Sequence, residues 1–135
     1  MSSTTANSRK IIITQALLNE NIEIYGTGNQ TVDIIDVRDI ANIAISSTKK
    51  GIGRDFSKVY DVGSGHAISC NEVAEYVLKK INSKSKITNL PMRIGEALDT
   101  KIAAKSHDEL LKKINYKLQY SFEDTMDDCI NYMKK

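Results

Sequence analysis

The chain has 135 residues, 41% hydrophobic and 27% charged, with one proline, which suits one domain able to bury roughly two-thirds of its unfolded surface without staples. Nineteen basic residues against seventeen acidic leave a net charge of +2, too balanced to argue for a nucleic-acid or membrane-surface protein. No apolar run approaches the ~20 residues of a membrane span, the opening "MSSTTANSRK" has no apolar signal-peptide core, and Cys70 and Cys129 are too few for a disulfide framework, so both are expected to be reduced in a cytoplasmic protein.

Residues 1–9 are small and polar and are expected to form a flexible N-terminal segment. From Lys10 a short helix is predicted, with Ile13, Ala16 and Leu17 on one face. "IEIYG" (22–26) reads as a strand ending at a glycine, and the β-branched run "TVDIIDV" (31–37) as a second strand. "RDIANIAISS" (38–47) puts Ile40, Ile43 and Ala44 at helical spacing, with Asp39 in the first turn, where a carboxylate suits the free amides. "TKKGIGRDFS" (48–57) is a loop, and "KVYDVGSG" (58–65) a strand running into a glycine turn. In "SCNE", Ser69 and Glu72 form a capping box. The helix behind it (70–82) carries Val73, Ala74, Val77, Leu78 and Ile81 on one stripe. "KITNLP" (86–91) is a short strand and 92–103 irregular. "SHDELLKKI" (106–114) is a short helix with Leu110, Leu111 and Ile114 facing in. "SFEDTMDDCINYM" (121–133) opens on an acidic capping box, Ser121 to Asp124. Its apolar stripe is Phe122, Met126, Cys129, Ile130 and Met133. The lysine pairs 49–50, 79–80 and 112–113 fall at helix ends, where cations suit the dipole. About five helices and four short strands make a mixed α/β or α+β domain over 10–135, with no repeat and no linker.

Gly26-Thr27-Gly28 could open a dinucleotide loop. That loop needs a third glycine and a following helix N-terminus. Here the third position is Thr31 and a strand follows, so a hairpin-type turn through positive-φ residues is expected instead. Gly63-Ser64-Gly65 also lacks its third glycine and reads as a turn before a capped helix. Tyr76 and Lys80 share a helix face at i, i+4, the spacing of a dehydrogenase catalytic pair, but on an otherwise structural helix. His66 and His107 have no ligand-spaced partners and read as surface or edge residues. Cys129 reads as core. Cys70 opens a helix, and a reactive thiol with a dipole-lowered pKa is the lesser of its two readings. Arg93, in "PMRIGE", is one of four arginines and has the fork that suits phosphate.

In order, these pieces resemble the C-terminal, substrate-binding part of the NAD-dependent sugar-nucleotide epimerase/dehydratase family, the extended short-chain dehydrogenases/reductases. The family pattern "IYGxGxQxRDFVYVxDVAxA…YNVGSGxxxSVxELA…PxRxGD…LGWxPxxSLEEGL" is met by "IYGTGNQTVDIIDVRDIANI", "YDVGSGHAISCNEVAEYV", "PMRIGE" and "INYKLQYSFEDTM", over roughly residues 10–134. The resemblance implies a nucleotide-sugar-binding domain with Ile24 and Tyr25 beside the nucleotide base. It makes Arg93 the diphosphate contact and Glu96 the acid after it. The diphosphate arginine of "QxRDF" is Val32 here, and the asparagine of "YNVG" is Asp61. The family's cofactor loop and catalytic Tyr/Lys pair lie in a Rossmann domain upstream. The resemblance therefore implies no catalytic, metal or cofactor residue in this chain, and NAD only with a Rossmann partner. The alternative is a non-catalytic interaction or oligomerisation module on the same fold.

Overall fold

A computed structural model describes residues 3–52, 54, 58–96 and 107–135. Five helices and four short strands follow in the order α1 (Ser3–Leu17), β1 (Ile22–Tyr25), β2 (Thr31–Asp33), α2 (Val37–Lys49), β3 (Ala67–Ser69), α3 (Cys70–Ile81), β4 (Ile87–Leu90), α4 (His107–Ile114) and α5 (Phe122–Met133). β1 pairs with β4 and β2 with β3, in two two-stranded sheets. The chain divides into two compact units. Unit one is Met1–Thr31, Ile68–Lys101 and Met126–Lys135; unit two is Val32–Ala67 and Ile102–Thr125.

In unit one, β1 runs parallel to β4 with Ile22 opposite Ile87 and Tyr25 opposite Leu90. The alternation of IEIY sends Ile22 and Ile24 into the core and leaves Glu23 and Tyr25 outside, as a strand covered on one face requires. Helix α1 packs on α3 and β1, burying Ile12, Ile13 and Ala16, while α3 buries Val73, Ala74 and Val77. Met126 and Ile130 of α5 are buried as well. Ser69 caps α3 with the reciprocal Glu72 bond expected from the sequence.

In unit two, Ile43 of α2 meets Leu110 and Ile114 of α4, flanked by Ile35, Ile52, Tyr60, Leu111, Tyr116 and Leu118. Two carboxylates organise it. Asp36 is the N-cap of α2 and accepts from the Arg38 amide at 2.9 Å, the Arg38 guanidinium at 2.9 and 2.8 Å, and Thr125 Oγ1 at 2.8 Å. Asp39 is buried and accepts from Tyr116 OH at 2.7 Å and from the Gln119 and Tyr120 amides at 3.0 and 3.1 Å. It anchors the 116–120 segment rather than serving the first-turn amides, which Asp36 already caps. Ser121 and Asp124 bond reciprocally at the start of α5, as expected.

Several expectations are corrected. α1 begins at Ser3 rather than Lys10; residues 3–9 hold no glycine or proline to stop a helix propagating. The second strand stops at Asp33 instead of Val37, because Val37 already opens α2 and the Asp36 side chain caps that helix. Residues 58–65 are not a strand, and the strand comes later, at Ala67–Ser69. β1 and β2 lie in different sheets, so the Gly26–Asn29 turn does not close a hairpin. Cys129 is exposed rather than core. The lysine pairs do sit at helix ends, with Lys49, Lys79 with Lys80, and Lys112 with Lys113 in the last turns of α2, α3 and α4. The loop positions 53 and 55–57 and the irregular stretch from 97 to 103 lie outside the described residues.

Candidate functional site

The site grows from the carboxyl ends of the two parallel strands of unit one, the place where open parallel sheets gather ligands. β1 ends at Tyr25 and β4 at Leu90, and Gly26 N donates to Leu90 O at 2.7 Å, extending the ladder one step. Pro91 then stops the pairing, having no N–H to give. Two residues on, the Arg93 guanidinium lies over the Tyr25 ring, 4.4 Å from its centroid. This cation–π stack fixes a side chain that would otherwise sample many rotamers. The Arg93–Glu96 turn closes by Glu96 N donating to Arg93 O at 3.2 Å. Glu96 Oε1 sits 3.6 Å from Arg93 Nε, with both side chains 43% exposed.

Beneath this pair, the turn at 26–30 is held from several sides. Its carbonyls are taken one after another: Tyr25 O by Gln30 Nε2 at 2.9 Å, Gly26 O by Asn89 Nδ2 at 2.8 Å, and Thr27 O by Asn71 Nδ2 at 3.0 Å. Gly28 O accepts from Asn71 N at 3.1 Å and Gln30 O from Cys70 N at 3.3 Å. Gly26 and Gly28 have φ of +75° and +76°, as expected of this turn. A Cβ on Gly28 would lie 2.1 Å from Asn71 Oδ1, and one on Gly26 2.7 Å from Met92 Cε. The glycines thus serve close approach by neighbouring side chains. The chain after the turn is β2, not a helix, so a helix-terminus phosphate cradle does not form here.

Of the residues singled out from sequence, Tyr25, Arg93 and Glu96 come together. Ile24 lies beside Tyr25 in β1, but its side chain is buried. Asp61 is exposed and belongs to unit two, as does Val32. Asn71, Asn89, Gln30 and Met92 were not anticipated. The one signal available was Gly28, whose missing Cβ makes room for Asn71; the capping box drew attention to Ser69 and Glu72 instead.

The other candidate chemistry resolves into structure. Tyr76 OH donates to Asp127 Oδ1 at 2.7 Å and Lys80 Nζ to Asp127 Oδ2 at 2.7 Å, so the apparent catalytic pair ties α3 to α5. Lys80 above all, and Tyr76 with it, hold the Asp127 carboxyl below its ordinary range. The Gly63-Ser64-Gly65 loop spends its amides internally: Ser64 N and Gly65 N each donate to the Asp33 carboxylate at 2.8 Å, and Ser64 Oγ at 2.6 Å. Burial raises the Cys70 thiol pKa, outweighing the nearby Arg9 charge, which speaks against the lesser reading of a helix-activated thiol. Among the described residues no group of three or more His, Cys, Asp or Glu could hold a metal ion. Unit two has a shallow hollow of about 410 Å³ lined by Ser64, Leu111, Lys112, Tyr116, Lys117 and Leu118 among others; it contains none of the predicted site residues. No described helix is long and apolar enough to cross a membrane.

No family model matches the chain. A curated relative, the low-salt glycan biosynthesis protein Agl12 of Haloferax volcanii, is 27% identical over 121 residues, covering 89% of this chain and 37% of its own length. Among solved structures, an epimerase of Methanothermobacter thermautotrophicus superposes with a TM-score of 0.80 at 20% identity, over 95% of this chain and 37% of that one. A Thermus thermophilus UDP-glucose 4-epimerase, solved with NAD, superposes with a TM-score of 0.74 at 15% identity, over 96% and 40%. The chain spans about a third of the length of the curated relatives it matches. The mixed α/β fold of five helices and short strands is that of the C-terminal domains of epimerase and dehydratase structures.

Proposed function

We propose that this chain is the nucleotide-sugar-binding part of an NAD-dependent epimerase/dehydratase-like protein of the cytoplasm. In this reading Arg93 clamps the diphosphate and Tyr25 borders the nucleotide base. The chain does not catalyse alone; NAD and the hydride chemistry belong to a Rossmann partner domain. The observation that carries the reading is the Arg93 guanidinium held over Tyr25 at 4.4 Å, at the carboxyl ends of β1 and β4. A guanidinium held against a ring keeps N–H groups to donate, and its fork matches a pair of diphosphate oxygens. Two-dimensional amide NMR tests it, with UDP-, dTDP- and GDP-sugars titrated to millimolar. Saturable shifts at Tyr25, Arg93 and Glu96 that vanish in Arg93→Ala support the reading; a well-dispersed spectrum that no ligand moves refutes it.

One observation favours a second reading, an interaction or oligomerisation module. Helix α2 leaves Val37 76%, Ile40 37% and Ile45 54% exposed, with Ala44 also exposed between them. That is an apolar stripe at helical spacing, and such faces mark association sites. Its occupant is either the Rossmann partner or a second copy. Sedimentation at micromolar concentration separates these: a dimer that Val37→Asp dissociates favours self-association.

A further inference from the structure

We propose that Glu96 is an intramolecular competitor for Arg93, a resident carboxylate that an incoming anion must displace. This rests on the reading of Arg93 as the anion contact and adds how its affinity is set. Arg93 is held on three sides. The Tyr25 ring covers one face of the guanidinium, the backbone of the Arg93–Glu96 turn fixes the spacing, and Glu96 Oε1 faces Nε at 3.6 Å. Arg93 makes no hydrogen bond to another side chain among the described residues, so Glu96 is its charge partner. The Nε edge is one of the two at which a guanidinium grips a dianion with two parallel bonds. Glu96 stands at that edge with a negative charge, so it both shields the arginine and repels the ligand.

The turn is built so that Glu96 can leave. Among the described residues nothing lies within 4 Å of the Gly95 Cβ position and Ile94 is fully exposed, so the Glu96 side chain has room to swing aside while the turn's backbone stays in place. A pair 3.6 Å apart and 43% exposed on each side is a weak ion pair. Competition of this kind is shallow: any anion that takes the Nε edge must first displace the same carboxylate, so the pair lowers the affinity of each by a similar factor.

The test titrates the whole chain with inorganic pyrophosphate and, separately, acetate, following Arg93 Nε–Hε and Tyr25 by NMR. Glu96→Gln should bind pyrophosphate about three- to tenfold tighter than the unaltered chain, the size expected for losing one exposed charge beside the anion. Acetate binding should tighten as well, by no more than pyrophosphate binding does. Glu96→Ala should do the same, which excludes a new contact from the glutamine amide. Unchanged or weaker binding by both variants overturns the competitor role, even where Arg93→Ala abolishes binding and the anion-site reading stands. Pyrophosphate binding that persists in Arg93→Ala overturns both, as does the absence of binding in every form.

Discussion

At Gly28 a Cβ would lie 2.1 Å from Asn71 Oδ1 on a backbone with φ of +76°, so Gly28→Ala combines a clash with left-handed strain. The cost should be about 2–4 kcal/mol, from strain of 1–2 kcal/mol per residue and the loss of the Asn71 hydrogen bonds. Urea denaturation measures it. Asn71→Ala, which removes the clash partner as well, should make the additional Gly28→Ala change cheaper, a coupling that a double-mutant cycle reads directly. Asp39 is the second residue whose role reaches beyond its neighbours. It is fully buried and holds three donors of the 116–120 segment, so Asp39→Ala strands them and should cost about 3 kcal/mol. Sequence alone singled out Arg93 by its phosphate-matching fork, but Tyr25 and Glu96 only through resemblance. Nothing local in "PMRIGE" says that its arginine reaches a tyrosine near residue 25, because that contact depends on which strands pair. Asn71 and Asn89 were illegible for the same reason.

Among the elements, helices were legible and strands less so. α3 and α5 announce themselves through Ser69 with Glu72 and Ser121 with Asp124, local signals that need no partner. Ser69→Ala should lower stability by about 1 kcal/mol, read from the shift of the urea midpoint. β1 and β4 were found by composition. The false strand at 58–65 had the same β-branched look, yet Val59 is 90% exposed; a strand exists only where another strand accepts it. The ends of α1, α3 and α4 share a device that the sequence reading missed. Asn19, Asn82 and Asn115 are the described non-glycine residues with positive φ, and each closes a helix. Asparagine tolerates that conformation where most residues do not. Asn82→Gly should therefore be neutral to slightly stabilising and Asn82→Val destabilising by roughly 1–2 kcal/mol, measured by thermal unfolding.

For the molecule as a whole, charge sets the pH range of stability. Asp36 is held well below the ordinary carboxylate range, chiefly by its hydrogen bond from Arg38. The Ser69 backbone amide lowers Glu72, and Lys80 lowers Asp127. At acid pH the unfolded chain takes up protons at these groups before the folded one does. Their stabilisation is complete above the unfolded carboxylate pKa of about 4 and is lost as pH falls below it. At the other end, burial raises Cys70 above its ordinary 9.0, so stability also declines as pH rises past that value and the unfolded thiol ionises first. A thermal scan series from pH 2 to 10.5 should give a plateau with both shoulders. Asp36→Asn should flatten the acid shoulder while leaving the alkaline one in place.

The parallel pairing of β1 with β4 also has a consequence for how the chain is made. Ile22 finds its partner Ile87 only 65 positions later, 87 − 22. At the roughly 5–20 residues per second of synthesis, β1 waits about 3 to 13 s for its neighbour. Throughout that interval a short strand with two apolar side chains is born without a sheet to join. Unit one therefore cannot mature in the order in which it is translated, and its nascent form is the state for which a chaperone would have most use.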